Sequence, residues 1–325
     1  MKLNDVLANI EKKLGKDIIV GNKIEVEFVS SGSIGLDFAL GGGYAKGRVI
    51  ELYGWESSGK TTLALHLAAE IQKLGGTVAY IDMEQAMDLE YAENLGVEID
   101  FDSKDKFLLS QPENGEQALE LVRELLKADK VQLIVFDSVG ALNPKAKLQG
   151  DIGDAKMGLE ARLMSSTLPM LISDAKKTGC IILFINQKRE KIGVMFGNPE
   201  TTMGGNALKF YASQRLDVSR FGQEKDGDEV TANKTRVKVV KNKVAPPFKK
   251  AEFNIEFGVG IDKVAELVDL AVECEIIKKS GSWYSYGDTK LGQGSAGVKS
   301  ILQDNPELFE EIDKKVRINL GLLDE

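Results

Sequence analysis

The sequence predicts an α/β protein with a mostly parallel central sheet, an N-terminal helix/strand arm and a small α/β C-terminal domain. Three observations carry this prediction. Nearly continuous apolar runs alternate with helical patterns between residues 28 and 262. One of those runs feeds a glycine-rich loop that opens a helix. After residue 262 the pattern shortens and becomes rich in glycine and aromatics.

In chain order, Leu3, Val6, Leu7, Ile10 and Leu14 recur at three- and four-residue spacing, which predicts a helix stopped by Gly15. A helix this short is marginal alone in water, so it must dock, either on its own core or on a neighbouring subunit. Runs at 48–53, 77–82, 131–137 and 180–186 read as strands buried on both faces, as in a parallel sheet. Helical patterns at about 60–74, 115–127 and 157–177 lie between them and cover that sheet. Alternating strands near 212–219, 234–240 and 251–257 predict an antiparallel extension. The remainder reads as a helix, a turn region from Gly281 to Gly297, and a helix from Pro306. The expected division is an arm over 1–27, a core over 28–262 and a C-terminal domain over 263–325.

At 325 residues the chain exceeds what one core usually supports. With 43% apolar and 28% charged residues it is ordinary globular material, neither fibrous nor disordered. No apolar run reaches the roughly 18–20 residues that span a bilayer, and the N-terminus lacks the apolar stretch of a secretory signal. Cys180 and Cys274 make no disulfide framework and no metal-ligand spacing, so a reducing, cytoplasmic compartment is expected, with no membrane partner. The net charge of −8 on its own argues against nucleic acid.

The segment Gly54-Trp55-Glu56-Ser57-Ser58-Gly59-Lys60-Thr61 has the spacing of a phosphate-binding loop, with a strand before it and a helix from Lys60 after it. Glycines let backbone N–H groups curl around phosphate oxygens, and the helix N-terminus adds partial positive charge. Lys60 is expected to reach the β- and γ-phosphates, and Thr61 to ligate Mg²⁺. Leu133-Ile134-Val135-Phe136-Asp137 ends an apolar strand in the carboxylate that would complete the Mg²⁺ shell. Glu84, after the strand ending at Asp82, should face the nucleotide, because ligands of parallel sheets sit at the carboxyl ends of strands. There it is a candidate general base. The lone His66 reads as a packing or surface residue.

These residues, with the run Ile192-Gly193-Val194-Met195-Phe196-Gly197-Asn198-Pro199-Glu200-Thr201-Thr202, resemble the RecA family of strand-exchange ATPases over nearly the whole chain. The resemblance implies a P-loop NTPase core of RecA type. It implies a recombinase that forms a helical filament of its own copies on single-stranded DNA, pairs that strand with double-stranded DNA, and hydrolyses ATP with Mg²⁺. By the same resemblance, Gly54, Glu56, Ser57, Ser58, Gly59, Lys60, Thr61 and Thr62 hold the phosphates, and Asp88 and Tyr91 the adenine side. Glu84 is implied as the catalytic carboxylate and Gln187 as the sensor of the γ-phosphate. Lys241 and Lys243 are implied to reach a neighbour's ATP, and Phe210 to couple neighbouring subunits. The segments near 150–158 and 188–204 match DNA-binding loops. Within and beside them Met157 and Ile192 match base-wedging residues, and Arg162, Ser165, Arg189, Lys191, Gly204, Gly205 and Asn206 match contacts to the single strand. Arg220, Arg236 and Lys238 match a second site for incoming duplex.

The residues speak to part of this directly. Arg236 and Lys238 are two apart and share one strand face, with Val237 and Val239 on the other. If the strand continued regularly, Lys241 and Lys243 would lie on the valine face, so that two basic pairs would point in opposite directions. The 188–204 loop mixes basic and apolar residues, suited to phosphates and unstacked bases respectively.

Departures from the family pattern are also visible. Trp55 stands where the family usually has Pro and removes no phosphate contact. Gln85 and Met203 replace a His and a Thr. Pro169 stands mid-helix where the family typically has Arg; it should kink that helix and puts one single-strand phosphate contact in question. Glu190 is acidic within the DNA loop, and Ser295 replaces a basic residue. The chain lacks the family's long acidic tail, so tail autoinhibition is not expected.

Two other readings use the same residues: a ring-forming ATPase motor, which shares the phosphate loop but does not need the 188–206 sequence, and a DNA-coating protein with ATP as a structural ligand, against which an intact Glu84 speaks. From Asn186 to Lys250 there are 14 Lys and Arg against 7 Asp and Glu, so a local balance of +7 sits inside a chain of −8. The acidic average hides a basic strip.

Overall fold

The computed structural model describes residues 3–15, 25–103, 105–150, 158–190 and 200–324. Helix α1 (Leu3–Leu14) has none of its residues buried and is followed by Gly15. Strands β1 (Phe28–Val29) and β2 (Tyr44–Ala45) pair antiparallel around α2 (Ile34–Leu40). The core then runs β3 (Val49–Gly54), α3 (Lys60–Lys73), β4 (Val78–Asp82), α4 (Leu89–Asn94), β5 (Phe107–Ser110), α5 (Gly115–Ala128) and β6 (Leu133–Asp137). It continues through α6 (Lys145–Leu148), α7 (Leu159–Thr178), β7 (Ile181–Glu190), β8 (Glu200–Thr202) and α8 (Ala207–Tyr211). Strands β9 (Gln214–Asp226), β10 (Glu229–Asn242), β11 (Lys250–Glu256) and β12 (Gly260–Ile261) complete it.

These strands form one sheet in the order β12-β11-β10-β9-β3-β7-β6-β4-β5, with β8 hydrogen-bonded to β7. From β9 through β5 the pairings are parallel, and from β9 outward to β12 they are antiparallel. The antiparallel extension therefore begins one strand later than the sequence suggested. The short strand β5 escapes notice in the sequence because it is four residues at an edge, mostly half-buried, with little alternation to read.

The apolar runs are continuous because both faces are covered. In β6, Leu133 and Val135 pack in one cluster with Leu63 and Leu67 of α3, while Ile134 and Phe136 pack in the other with Val122 of α5 and Leu171 of α7. Strands β4 and β7 divide the same way. Each fully buried Leu, Ile or Phe contributes roughly 1.5–3 kcal/mol of transfer free energy, so the two clusters hold the sheet in place. Helix α7 runs from 159 to 178 through Pro169 without being broken into two elements.

Beyond the core, α9 (Lys263–Glu273), a three-stranded antiparallel meander of β13 (Ile277–Ser280), β14 (Trp283–Tyr286) and β15 (Thr289–Gln293), α10 (Gly294–Asp304) and α11 (Pro306–Asn319) enclose their own apolar cluster. The turn-rich region of the sequence is thus largely strand. Buried Glu266 of α9 ties this unit to the core, accepting from the Ser33 hydroxyl and from the Ile34 and Gly35 N–H groups at 3.2 and 3.1 Å. Lys299 adds bridges to Glu256 and Asp262 at 2.6 and 2.7 Å.

His66 is a packing residue. It is buried, and its Nε2 accepts from the Ile261 N–H at 3.0 Å. Burial, and then the nearby Lys263 charge, push its pKa down to about 4.

Candidate functional site

The carboxyl ends of β3, β4, β6 and β7 meet at one end of the sheet. The loop from Gly54 to Thr61 turns there into α3, whose first residues face a cleft of about 310 Å³. Ser57, Ser58, Gly59, Lys60, Thr61 and Thr62 line one side of it. Ser57 has a left-handed φ of 54°, part of the backbone curl that turns N–H groups inward. The Lys60 ammonium donates to the Trp55 carbonyl at 2.7 Å. Burial lowers its pKa, against which the Asp137 and Glu84 carboxylates act.

The Thr61 hydroxyl donates to Asp137 Oδ2 at 3.2 Å, and the Tyr80 hydroxyl donates to the same oxygen at 2.5 Å. Asp137 is raised to about 6, chiefly by burial. A hydroxyl and a buried carboxylate that converge beside this loop offer hard oxygen donors that would suit Mg²⁺. Among the described residues no group of three or more His, Cys, Asp or Glu forms a separate metal centre.

Exposed Glu84 follows β4. Its Oε1 accepts from Gln187 Nε2 at 3.2 Å and from the Ser138 hydroxyl. The structure therefore joins three residues spread over more than a hundred positions of sequence. Gln187 lies within β7, just before the strand reaches the segment 191–199, which lies outside the described residues.

Asp88 caps α4 by accepting from the Tyr91 N–H at 3.0 Å, and the Tyr91 hydroxyl contacts Thr62 Oγ1 at 2.9 Å. Tyr91 lines the cleft; Asp88 does not. The opposite wall comes from Asn233, Thr235, Ile255, Phe257 and Gly258, which sequence reasoning missed. They arrive from β10, β11 and the following turn, some 170 to 200 residues after the loop, and no spacing in the sequence announces them. Buried Thr235 Oγ1 and Asn233 Oδ1 have no partner among the described residues.

The region flanking the 191–199 segment is framed from several elements. Strand β8 pairs with the end of β7, Lys188 opposite Thr202 and Glu190 opposite Glu200. Buried Asn186 donates to Glu51 Oε1 at 2.8 Å and to the Met203 carbonyl at 3.1 Å, while accepting from the Gln187 N–H at 2.8 Å. Glu51, fully buried on β3, is neutralised by Arg215, whose guanidinium lies 4.7 Å from the Tyr53 ring centroid. Gly204 and Gly205 have φ of 72° and 77°. A Cβ on either would come within 2.6 Å of Val139 or Ala161 respectively, so both positions demand glycine for conformation and for space.

Arg162 and Ser165 stand exposed on the first turns of α7, and Arg189 and Asn206 are exposed at the two ends of the frame. Met157, Lys191 and Ile192 lie outside the described residues. Exposed Phe210 projects from α8.

One geometric expectation is overturned. Val239 is registered opposite Leu216 but Lys241 opposite Arg215, so Val240 is an extra residue in β10. The bulge reverses the alternation. Lys238 faces Asp217 and Lys241 faces Arg215, two apart on β9, so Lys241 shares the face of Arg236 and Lys238 and not that of the valines. Lys243 lies past the strand end. The Lys241 ammonium donates to the Lys209 and Phe210 carbonyls at 2.8 Å each, capping α8. Its pKa is lowered by burial and by the Lys243 and Arg215 charges. Arg220, opposite Thr235, does not share the row of Arg236 and Lys238. Arg236 is held by Glu252 at 2.8 Å and lies 4.5 Å from the Phe221 ring centroid, leaving Lys238 the more exposed of the pair.

Comparison with known proteins places the whole chain in one family. Residues 1–262 match the RecA N-terminal domain and residues 265–321 the RecA C-terminal domain. The chain is 54% identical over 326 residues to Protein RecA of Paracoccus denitrificans, covering 98% of this chain and 90% of that protein. It is 53% identical over 328 residues to Protein RecA of Clostridioides difficile, covering 99% and 93%. For Protein RecA of Porphyromonas gingivalis the values are 56% over 313 residues, covering 95% and 91%. Among solved structures it is similar to the RadB recombinase, with a TM-score of 0.54 and 25% identity, covering 72% of this chain and 98% of that one. The chain belongs to the RecA family of DNA recombination and repair proteins.

Proposed function

We propose that this chain is a DNA-dependent ATPase that assembles head to tail on single-stranded DNA, admits a homologous duplex and exchanges strands. The observation that carries the proposal is the hydrogen bond from Gln187 to Glu84, which joins the candidate hydrolytic carboxylate to the strand leading into the DNA loop.

ATP seats its phosphates on the N–H groups of the 54–62 loop, with Lys60 moving from the Trp55 carbonyl to the β- and γ-phosphates. The base enters the cleft between Tyr91 and the wall holding Asn233, Thr235 and Phe257. Thr61 and Asp137 hold Mg²⁺, which neutralises phosphate charge when bound. Glu84 orients and deprotonates the attacking water. A γ-phosphate beside Gln187 competes with Glu84 for its amide, so nucleotide state reaches β7 and the segment after it. Arg162, Ser165, Arg189, Lys191, Gly204, Gly205 and Asn206 contact the single strand, Met157 and Ile192 its bases, and Arg220, Arg236 and Lys238 the incoming duplex. Backbone phosphates supply most of the affinity, and base pairing reads the sequence.

A head-to-tail contact that does not close makes a filament. Phe210 and the Lys241–Lys243 corner belong to that contact, with the lysines reaching a neighbour's ATP. Residues 1–27 serve as the oligomerisation arm, 28–262 as the ATPase core and 263–325 as the small C-terminal domain. No helix among the described residues is long and apolar enough to cross a membrane, and we place the protein in the cytoplasm, where its DNA is.

ATP hydrolysis measured with and without single-stranded DNA, alongside negative-stain imaging, tests this. Stimulated hydrolysis and open helical filaments are expected. Absence of stimulation would sink the reading, and closed rings would favour a ring-forming motor on the same core.

A further inference from the structure

Trp55, the second residue of the phosphate loop, is exposed to 43% and its side chain touches no part of the cleft. It points along the sheet end toward the DNA-loop frame. Its Nε1–H donates to Glu200 Oε1 at 3.4 Å. Glu200 opens β8, the strand that returns the chain from the 191–199 segment. Its other oxygen accepts from Lys188 Nζ at 2.9 Å, and Lys188 is also bonded to Asp217 of β9 at 3.0 Å. The same ammonium lies 5.7 Å from the ring centroid of Tyr53, at the end of the strand that feeds the phosphate loop. One carboxylate is thus shared between the phosphate loop and the sheet.

The backbone of the same tryptophan holds the other half of the connection. Its carbonyl accepts from the Lys60 ammonium. The move of Lys60 to the phosphates, part of the proposed function, would release that carbonyl and with it the peptide unit that carries the indole.

We infer that Trp55 is a positioning residue, forming with Glu200 a second strut between nucleotide and DNA loop. The Gln187–Glu84 bond enters the loop from its β7 side, and the Trp55–Glu200 bond enters it from its β8 side. The inference rests on the proposed binding of single-stranded DNA by that loop. It predicts a coupling specific to chains with a hydrogen-bond donor at this position, which the proline usual in the family does not supply.

The chain has two tryptophans, so a Trp283→Phe background leaves Trp55 as the sole indole reporter. In that background a non-hydrolysable ATP analogue with Mg²⁺ should change Trp55 emission, and ADP should produce a smaller change. The second measurement is the ratio of single-stranded DNA affinities with ATP analogue and with ADP. Trp55→Phe keeps an aromatic ring and removes the donor, and is expected to lower that ratio about fivefold, the scale of a modest coupling. Glu200→Ala, which also releases Lys188, should lower it at least as much, and the double variant no further than Glu200→Ala alone, since the indole's bond is then already gone.

Emission indifferent to nucleotide, single variants within twofold of the parent ratio, or effects that multiply in the double variant would each overturn the strut. A parent protein with no nucleotide-dependent DNA affinity would instead overturn the proposed function. The emission arm, which uses no DNA, then decides the strut: a nucleotide response of Trp55 left unchanged by Glu200→Ala would overturn it. A purely structural role for the indole would lower thermal stability while leaving emission response and ratio unmoved.

Discussion

The phosphate loop and the DNA-loop frame lie side by side at the carboxyl ends of the same strands, yet they are built in opposite ways. The phosphate loop is local: eight consecutive residues supply the turn, the lysine and the metal-side hydroxyl, with Asp137 delivered by β6. The frame is assembled from single residues on distant elements, among them Glu51 of β3, Asn186 of β7, Arg215 of β9 and the Gly204-Gly205 corner against Val139 and Ala161. A local site tolerates changes around it, because its geometry is set by its own backbone. An assembled one depends on every element that delivers a residue.

The sharpest separation of the two regions is chemical. Glu84→Gln removes the candidate base but keeps a hydrogen-bonding group at that position, so hydrolysis should fall by about 10²- to 10⁴-fold while nucleotide and DNA binding persist. Steady-state ATPase assays with parallel binding titrations check this. Equal loss of binding and hydrolysis would mean that the two regions are one unit.

Gly205→Ala tests the frame. Its new Cβ meets Ala161 at 2.6 Å with φ at 77°, a clash with backbone strain that should cost about 1–3 kcal/mol and weaken single-stranded DNA binding, with nucleotide affinity in the absence of DNA retained. Thermal melts and DNA titrations measure both. A smaller effect belongs to Lys238→Ala, which removes one exposed cation from the row proposed to face the duplex. Affinity should fall uniformly across sequences, and the slope of log affinity against log salt should shrink by about 1.

The mildest test concerns the shared scaffold. His66 has a folded pKa near 4 against an ordinary value of 6.5, so the folded state favours its neutral form. Its contribution is present above about pH 6.5 and is lost as pH falls toward 4, by up to about 3 kcal/mol. His66→Gln, which keeps an acceptor for the Ile261 N–H, should flatten that part of the stability–pH curve measured by denaturant unfolding.

Sequence reasoning reached the two regions unequally for the same reason. Lys60, Thr61 and the strand-ending Asp137 follow short spacings that chemistry dictates, so they are readable without a fold. Buried strands are readable too, since a strand covered on both faces must be apolar throughout. The far wall of the cleft is not, because Asn233, Thr235 and Phe257 come to face Tyr91 across the cleft only through the order of strands in the sheet. The lysine row was misread for a related reason. Period-two alternation put Lys241 with the valines, and one extra residue, Val240, reversed it. Nothing about Val240 in the sequence distinguishes it from its neighbour Val239, because a bulge is decided by the partner strand.

The chain by itself thus determined the α/β class, the phosphate loop, the candidate metal carboxylate and the basic strip hidden beneath a net charge of −8. These are properties of residue type and short spacing, expressed wherever the chain goes. Only the tertiary structure decided that Gln187 meets Glu84, that Lys241 caps α8, that Glu51 is neutralised by Arg215, and that the Trp55 indole reaches Glu200. Those contacts exist because strand order and register bring together groups the sequence keeps apart, and hydrogen bonds and ion pairs act only over a few ångströms.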